Sequence, residues 1–124
     1  MKKIQSFFML LFIATSFTVT AQDSKSVKSE TVKVWGNCEM CQSKIEKAAK
    51  KAGATTAKWD EESKILSVSY NPTKATMQKI EKAVAKAGYD TQNETAKASD
   101  YDNLPGCCQY DRKESAPQKS TEPN

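Results

Sequence analysis

The chain has 124 residues, 19 basic and 15 acidic side chains, a formal charge of +4, four cysteines and no histidine. Its mild, scattered positive charge argues against nucleic-acid binding. The missing histidine excludes Cys₂His₂ zinc sites, a Cys–His nucleophile and the usual general base, so any metal must be held mainly by sulfur. Conventional hydrolytic chemistry, and enzymatic activity more widely, is not expected.

Lys2 and Lys3 precede an apolar run from Ile4 to Val19, and Val19-Thr20-Ala21 offers small residues at the spacing a signal peptidase uses. The pattern predicts a secretory signal peptide over 1–21, removed after Ala21. The run is short for a membrane span and is interrupted by Thr and Ser. No cysteine stands at the cleavage point, which argues against a lipid anchor. The mature chain is therefore expected in the periplasm or secreted, without stable membrane association. Loss of Lys2 and Lys3 lowers the formal charge from +4 to +2.

Residues 22–30 are polar and read as a flexible lead-in. From Thr31 the alternation of Val32 and Val34 predicts a strand with one buried face. A helix follows Cys38, with Cys41, Ile45, Ala48 and Ala52 on one stripe and Lys44, Glu46, Lys47 and Lys51 outside it. Gly53 is its C-terminal cap. Because Cys41 lies on the inner stripe and Cys38 precedes the helix, Cys38 is expected to be the more exposed of the two. Ala54 to Asp60 form a second strand, with Thr55, Ala57 and Trp59 sharing a face. Leu66, Val68 and Tyr70 alternate as a third. Asn71-Pro72-Thr73 turns into a second helix, striped by Met77, Ile80, Val84 and Ala87 and capped by Gly88. Tyr89 to Gln92 supply a short last strand. The order β-α-β-β-α-β over 31–93 specifies an α+β, ferredoxin-like sandwich, with two helices on one face of a four-stranded antiparallel sheet. Trp59, Tyr70 and Met77 fit its core.

The pair Cys38-Glu39-Met40-Cys41 sits where the first strand hands over to a helix N-terminus. Free backbone N–H groups and the helix dipole stabilise thiolates there. Thiolates bind soft metals and also attack disulfides, so the spacing leaves both tasks open. Two thiolates without imidazole suit Cu(I) or Hg(II), whereas Zn(II) normally takes four ligands.

Cys38-Glu39-Met40-Cys41 after the first strand, Lys64 to Pro72 as the third, and Ala87-Gly88-Tyr89 together resemble the heavy-metal-associated domain family. That family includes copper chaperones, the periplasmic mercury-binding protein and modules of metal-pumping ATPases. The resemblance covers about half the chain. It implies that Cys38 and Cys41 are the metal ligands, with Cu(I) as the leading ion and Hg(II) or Zn(II) as alternatives. It further implies a membrane metal-transport protein as partner. Tyr89 matches a position beside the family's metal loop, which implies a role in modulating charge or access; a plain strand residue is the other reading. Where the family carries Gly-Met-Thr before the first cysteine, with the Met under the loop, this chain has Trp35, Gly36 and Asn37.

Residues 94–124 read as a linker and a mostly disordered tail carrying Cys107 and Cys108. Exported cysteines are normally paired or metal-bound. Three arrangements are open: the tail folds back and adds sulfurs to the Cys38/Cys41 site, binds metal separately, or forms a disulfide. The leading expectation is an exported carrier or scavenger of a soft ion. The competing readings are an envelope thiol–disulfide oxidoreductase and a non-catalytic interaction module with structural cysteines.

Overall fold

The computed structural model describes residues 26–116; the expected signal peptide lies outside them, as does the end of the tail beyond residue 116. The elements are β1 (Lys28–Lys33), α1 (Glu39–Lys51), β2 (Ala54–Trp59), β3 (Ile65–Tyr70), α2 (Met77–Lys86) and α3 (Ala98–Asp102), followed by a 3₁₀ turn at Gly106–Cys108. The sheet order is β1-β3-β2 and both pairings are antiparallel. Both long helices lie on its apolar face. Among the described residues no helix is long and apolar enough to cross a membrane.

The strands form where side chains alternate. Val32 on β1 and Leu66, Val68 and Tyr70 on β3 are buried, while on the other face of β3 Ser67 is exposed and Ile65 and Ser69 are half-buried. β1 begins at Lys28, inside the segment expected to be a flexible lead-in. Lys28 pairs with Tyr70, and the Tyr70 hydroxyl donates to the Glu30 carboxylate, so polar residues are drawn into the ladder. In β2 a bulge between Ala54 and Thr56 resets the pleat. Ala54 therefore turns inward and Thr55 is exposed, contrary to the alternation expected from sequence.

The helices bury the expected stripes in large part. Cys41, Ile45 and Ala49 of α1 and Ile80 and Val84 of α2 are buried, with Met77 half-buried against them. Gly53 and Gly88 end the two helices at φ of 115° and 108°, where a side chain would be strained. Thr76 caps α2 by accepting from the Lys79 N–H.

The expected fourth strand is not formed; the sheet has three strands, not four. Residues 89–92 make one isolated antiparallel bridge, Val34 with Thr91, flanked by bonds from Trp35 N–H to Asp90 O and from Gln92 N–H to Lys33 O. The reason lies in where the other donors go. Asp90 N–H, which a strand in this register would give to Trp35 O, donates instead to the Tyr110 hydroxyl at 2.7 Å, and on the outer side the Thr91 N–H donates to Glu94 O at 2.8 Å. Buried Glu81 holds the following turn by accepting from Thr91 Oγ1 and from Asn93 N–H.

The described part of the tail is also not the disordered segment expected. Tyr101, Leu104, Cys108 and Tyr110 join the main core. The Tyr110 ring stacks on Tyr89 and meets the edge of Tyr101, with centroids 5.5 and 5.2 Å apart. Its hydroxyl donates to Gly88 O. A Cβ on Gly88 would come within 2.8 Å of Asp100 O, so the glycine also makes room for this arm. Arg112 grips Asp90 with two bonds, Nε to Oδ2 at 2.9 Å and Nη2 to Oδ1 at 2.7 Å, both side chains being almost wholly buried.

Breaking one side of such a pair costs about 3–5 kcal/mol because a bare charge is left behind. Replacement of Arg112 by Met should therefore release the arm. The expected signature is fast amide exchange over 98–112, with β3 still protected. Unchanged arm protection would show that Arg112 does not hold it.

Candidate metal centre

The loop between β1 and α1 is shaped from below by Trp59. Its indole Nε1–H donates to Val34 O at 3.0 Å, and its ring lies so close to Gly36 that a Cβ there would come within 3.0 Å of it. Trp59 thus packs under the loop, the place the family resemblance gives to a methionine. Cys38 is the N-cap of α1, extended at φ −154°. The first free N–H groups of the helix are accordingly at hand. The nearby Cys41 N–H, most strongly, with the Cys41 thiol and the Met40 N–H, holds the Cys38 pKa below that of an ordinary thiol, against the opposing effect of partial burial.

Cys41 is fully buried on the inner stripe and Cys38 is half-buried, in the order the helical pattern predicts. Their sulfurs are 3.6 Å apart, and the Cys41 thiol donates to Asn37 Oδ1 at 2.9 Å. The arm brings a third sulfur. The Sγ atoms of Cys38, Cys41 and Cys108 all lie within 4.8 Å of one another. Three sulfurs about 2.3 Å from a common ion stand roughly 4 Å apart. The cluster is therefore close to the size a three-coordinate soft ion requires. Cys107 is not part of it; this side chain is exposed and its thiol points to Met40 Sδ at 3.8 Å.

Burial, with the adjoining Cys41 thiol as a further cause, pushes the Cys108 pKa up to about 12. Tyr89 is fully buried beside the same sulfurs. Burial first, then the neighbouring Cys41, raises its hydroxyl well above the ordinary phenol range. That hydroxyl is a buried polar atom without a hydrogen-bond partner. An unsatisfied donor of this kind costs about 1–3 kcal/mol, and an anionic sulfur alongside would provide the missing acceptor.

Sequence reasoning found the four cysteines and Tyr89 but passed over three neighbours. Asn37 could have been singled out as a helix-capping type placed just before the helix. Met40 is apolar yet lies off the buried stripe. Trp59 was read as core only, since nothing local ties it to a loop 20-odd residues earlier.

A three-stranded α+β sandwich with a cysteine pair at the head of its first helix defines a small thiol-bearing module of the kind that binds soft metals. The chain belongs to the heavy-metal-associated domain family, whose description, Heavy-metal-associated domain, matches residues 37–90. Among solved structures it is similar to a protein titled CopZ metallochaperone, with 30% identity and a TM-score of 0.50 over 52% of this chain and 98% of that one. It is also similar to oxidized MerP from Ralstonia metallidurans CH34, with 29% identity and a TM-score of 0.51 over 54% and 96% of the two chains. No curated protein matches the chain significantly.

The four thiols differ in access, and burial raises the pKa of Cys108 while that of Cys38 is lowered, which predicts an order of alkylation. Iodoacetamide at neutral pH should label exposed Cys107 and low-pKa Cys38 well before buried Cys41 and Cys108. Peptide mass spectrometry over a time course reads that order directly. Early labelling of Cys108 would show that the arm does not cover the cluster.

Proposed function

We propose that the chain is an exported carrier or scavenger of a soft thiophilic ion, with Cu(I) as the first choice of cargo, held by Cys38, Cys41 and Cys108. The observation that carries this reading is the convergence of three sulfurs within 4.8 Å at a helix N-terminus, one of them delivered from an arm far along the chain. Membership of the heavy-metal-associated family and similarity to a metallochaperone support it. Three thiolates and no histidine favour Cu(I) or Hg(II) over Zn(II), which is left one ligand short.

In this reading Cys38 is the acidic, reachable ligand of the three, and Cys41 closes the chelate from within the helix. Cys108 gives up its proton only when the ion takes its place, so loading releases protons. The Tyr89 hydroxyl donates to the metal-bound sulfurs and fixes their orientation. Handover proceeds by ligand exchange at the exposed side, where an incoming thiolate bonds before a resident one leaves. A membrane metal-transport protein is the proposed receiver. Export follows from the leader over 1–21, and N-terminal sequencing of the envelope form should begin at Gln22.

Anaerobic titration of the reduced mature chain with Cu(I) tests the site. Replacing Cys38 and Cys41 by Ser should abolish tight binding at the cluster. Replacing Cys108 by Ser should lower the sulfur count in X-ray absorption from three to two. Retained three-sulfur coordination in the Cys108→Ser chain would remove the arm from the site. Tyr89→Phe should leave the fold intact and weaken retention about tenfold or more, the usual effect of losing a hydrogen bond to a metal ligand. Equal retention in that variant would return Tyr89 to a packing role.

A further inference from the structure

Met40 lies outside the core. It stands in the first turn of α1 with 47% of its surface exposed, one of two large apolar side chains so exposed among the described residues. Its sulfur nevertheless has a partner, since the Cys107 thiol lies 3.8 Å from Met40 Sδ. Cys107 is itself tied to the inner cluster. Its carbonyl accepts from the Cys38 thiol at 3.5 Å, and its sulfur is 3.9 Å from that of Cys108. The 3₁₀ turn at Gly106–Cys108 thus holds two adjacent thiols side by side, one buried in the three-sulfur cluster and one exposed at its rim. Cys108 lies with Cys38 and Cys41, and Cys107 bridges from Cys108 to Met40.

We propose that Cys107 and Met40 form an outer station for one monovalent soft ion, Cu(I) or Ag(I), from which the inner three-sulfur site is loaded. The inference rests on the carrier reading and adds to it a second site and a route. One ion about 2.3 Å from each donor can bridge sulfurs up to about 4.6 Å apart, and the Cys107–Met40 separation of 3.8 Å falls inside that limit. A thioether is soft and uncharged, so the pair favours Cu(I) and Ag(I) over Zn(II).

The transfer balances without any change of oxidation state. The ion bonds to Cys107 and Met40, and the Cys107 proton passes to water. Cys108, whose sulfur is within reach of the same ion, then bonds to it while the bond to Met40 breaks, and the Cys108 proton leaves to water. Finally the bonds to Cys38 and Cys41 form, each with loss of its remaining thiol proton, and the bond to Cys107 breaks, with Cys107 taking a proton back from water.

The mature chain, residues 22–124, contains only Met40 and Met77 as methionines. Labelled with ¹³C at the methionine methyls and titrated with Ag(I), it gives a direct readout, with half-buried Met77 as internal control. Two equivalents should bind, and the second should shift the Met40 methyl while leaving Met77 in place. Cys107→Ser should abolish that shift and reduce the count to one, and Met40→Leu should weaken the second equivalent about tenfold. Loading of the inner site from a Cu(I) chelate should slow several-fold in both variants. A Met40 methyl unmoved at two equivalents overturns the proposal, as does an unchanged loading rate in both variants. The chain with Cys38 and Cys41 both replaced by Ser separates this idea from the reading it rests on. There one equivalent should still bind and shift Met40; a Met40 shift present in the native chain and lost in this one would make Met40 part of the inner site and overturn the outer station.

Discussion

The buried carboxylate of Asp90 is the constraint on which the arrangement of this molecule turns. It is fully inaccessible, at the end of the segment that leaves α2, and an unpaired ion there would be prohibitive. Arg112 answers it with a two-point grip and also donates to Ala96 O, while Ala96 N–H donates back to Asp90 Oδ1. The pair closes a loop of arm across the end of the sandwich. Such a pair adds little net stability over an apolar substitute, but it tolerates few alternatives. Here it fixes where the arm lies, and so where Cys108 lies.

The consequences run in both directions from that grip. Tyr110, two residues before Arg112, takes the Asp90 N–H and gives its own proton to Gly88 O. Those contacts take up a donor and an acceptor that an edge strand would use, so the arm is gained at the expense of the sheet edge. Tyr101 supports the same corner: its hydroxyl donates to Tyr110 O and its ring lies under the Arg112 guanidinium, 5.0 Å away. Three tyrosines and one ion pair therefore do for the arm what a disulfide does in many small exported domains.

The legible part of the fold was the part written in short periods. Val68 and Tyr70 two apart, and Ile80 and Val84 four apart, announce strand and helix without help from the rest of the chain. The cysteine pair was legible because its spacing and its place at a helix start carry a chemical meaning. The arm was not, because Tyr101, Leu104, Cys108 and Tyr110 follow no period and lie among polar residues. Asp90 and Arg112 are 22 residues apart, and nothing local marks them as partners. The inward turn of Ala54 was hidden for a similar reason, since a bulge is a property of the pairing and not of one strand. The site was therefore read in halves: Cys38 and Cys41 from pattern, Cys108 only as one of three arrangements.

For a soft-metal carrier, the docked arm changes the energetics of the third ligand. A free thiol in solution must give up its motion to bind, whereas Cys108 is already held in place chiefly by the Asp90–Arg112 pair and the tyrosine cluster. The ordering cost of residues 96–112 is met by Asp90–Arg112 and the tyrosine cluster before any ion arrives, so an ion gains the third bond at little further entropic cost. The same contacts set the barrier to release. In the proposed carrier, an acceptor attacking from the open side would meet Cys38 first and exchange it while Cys41 and Cys108 held on, so the ion would never be bare. Retention and transfer are thus governed by different residues. On the proposed function, Cys38 would set how readily exchange begins, and the remote grip on Asp90 would set how long the third sulfur stays.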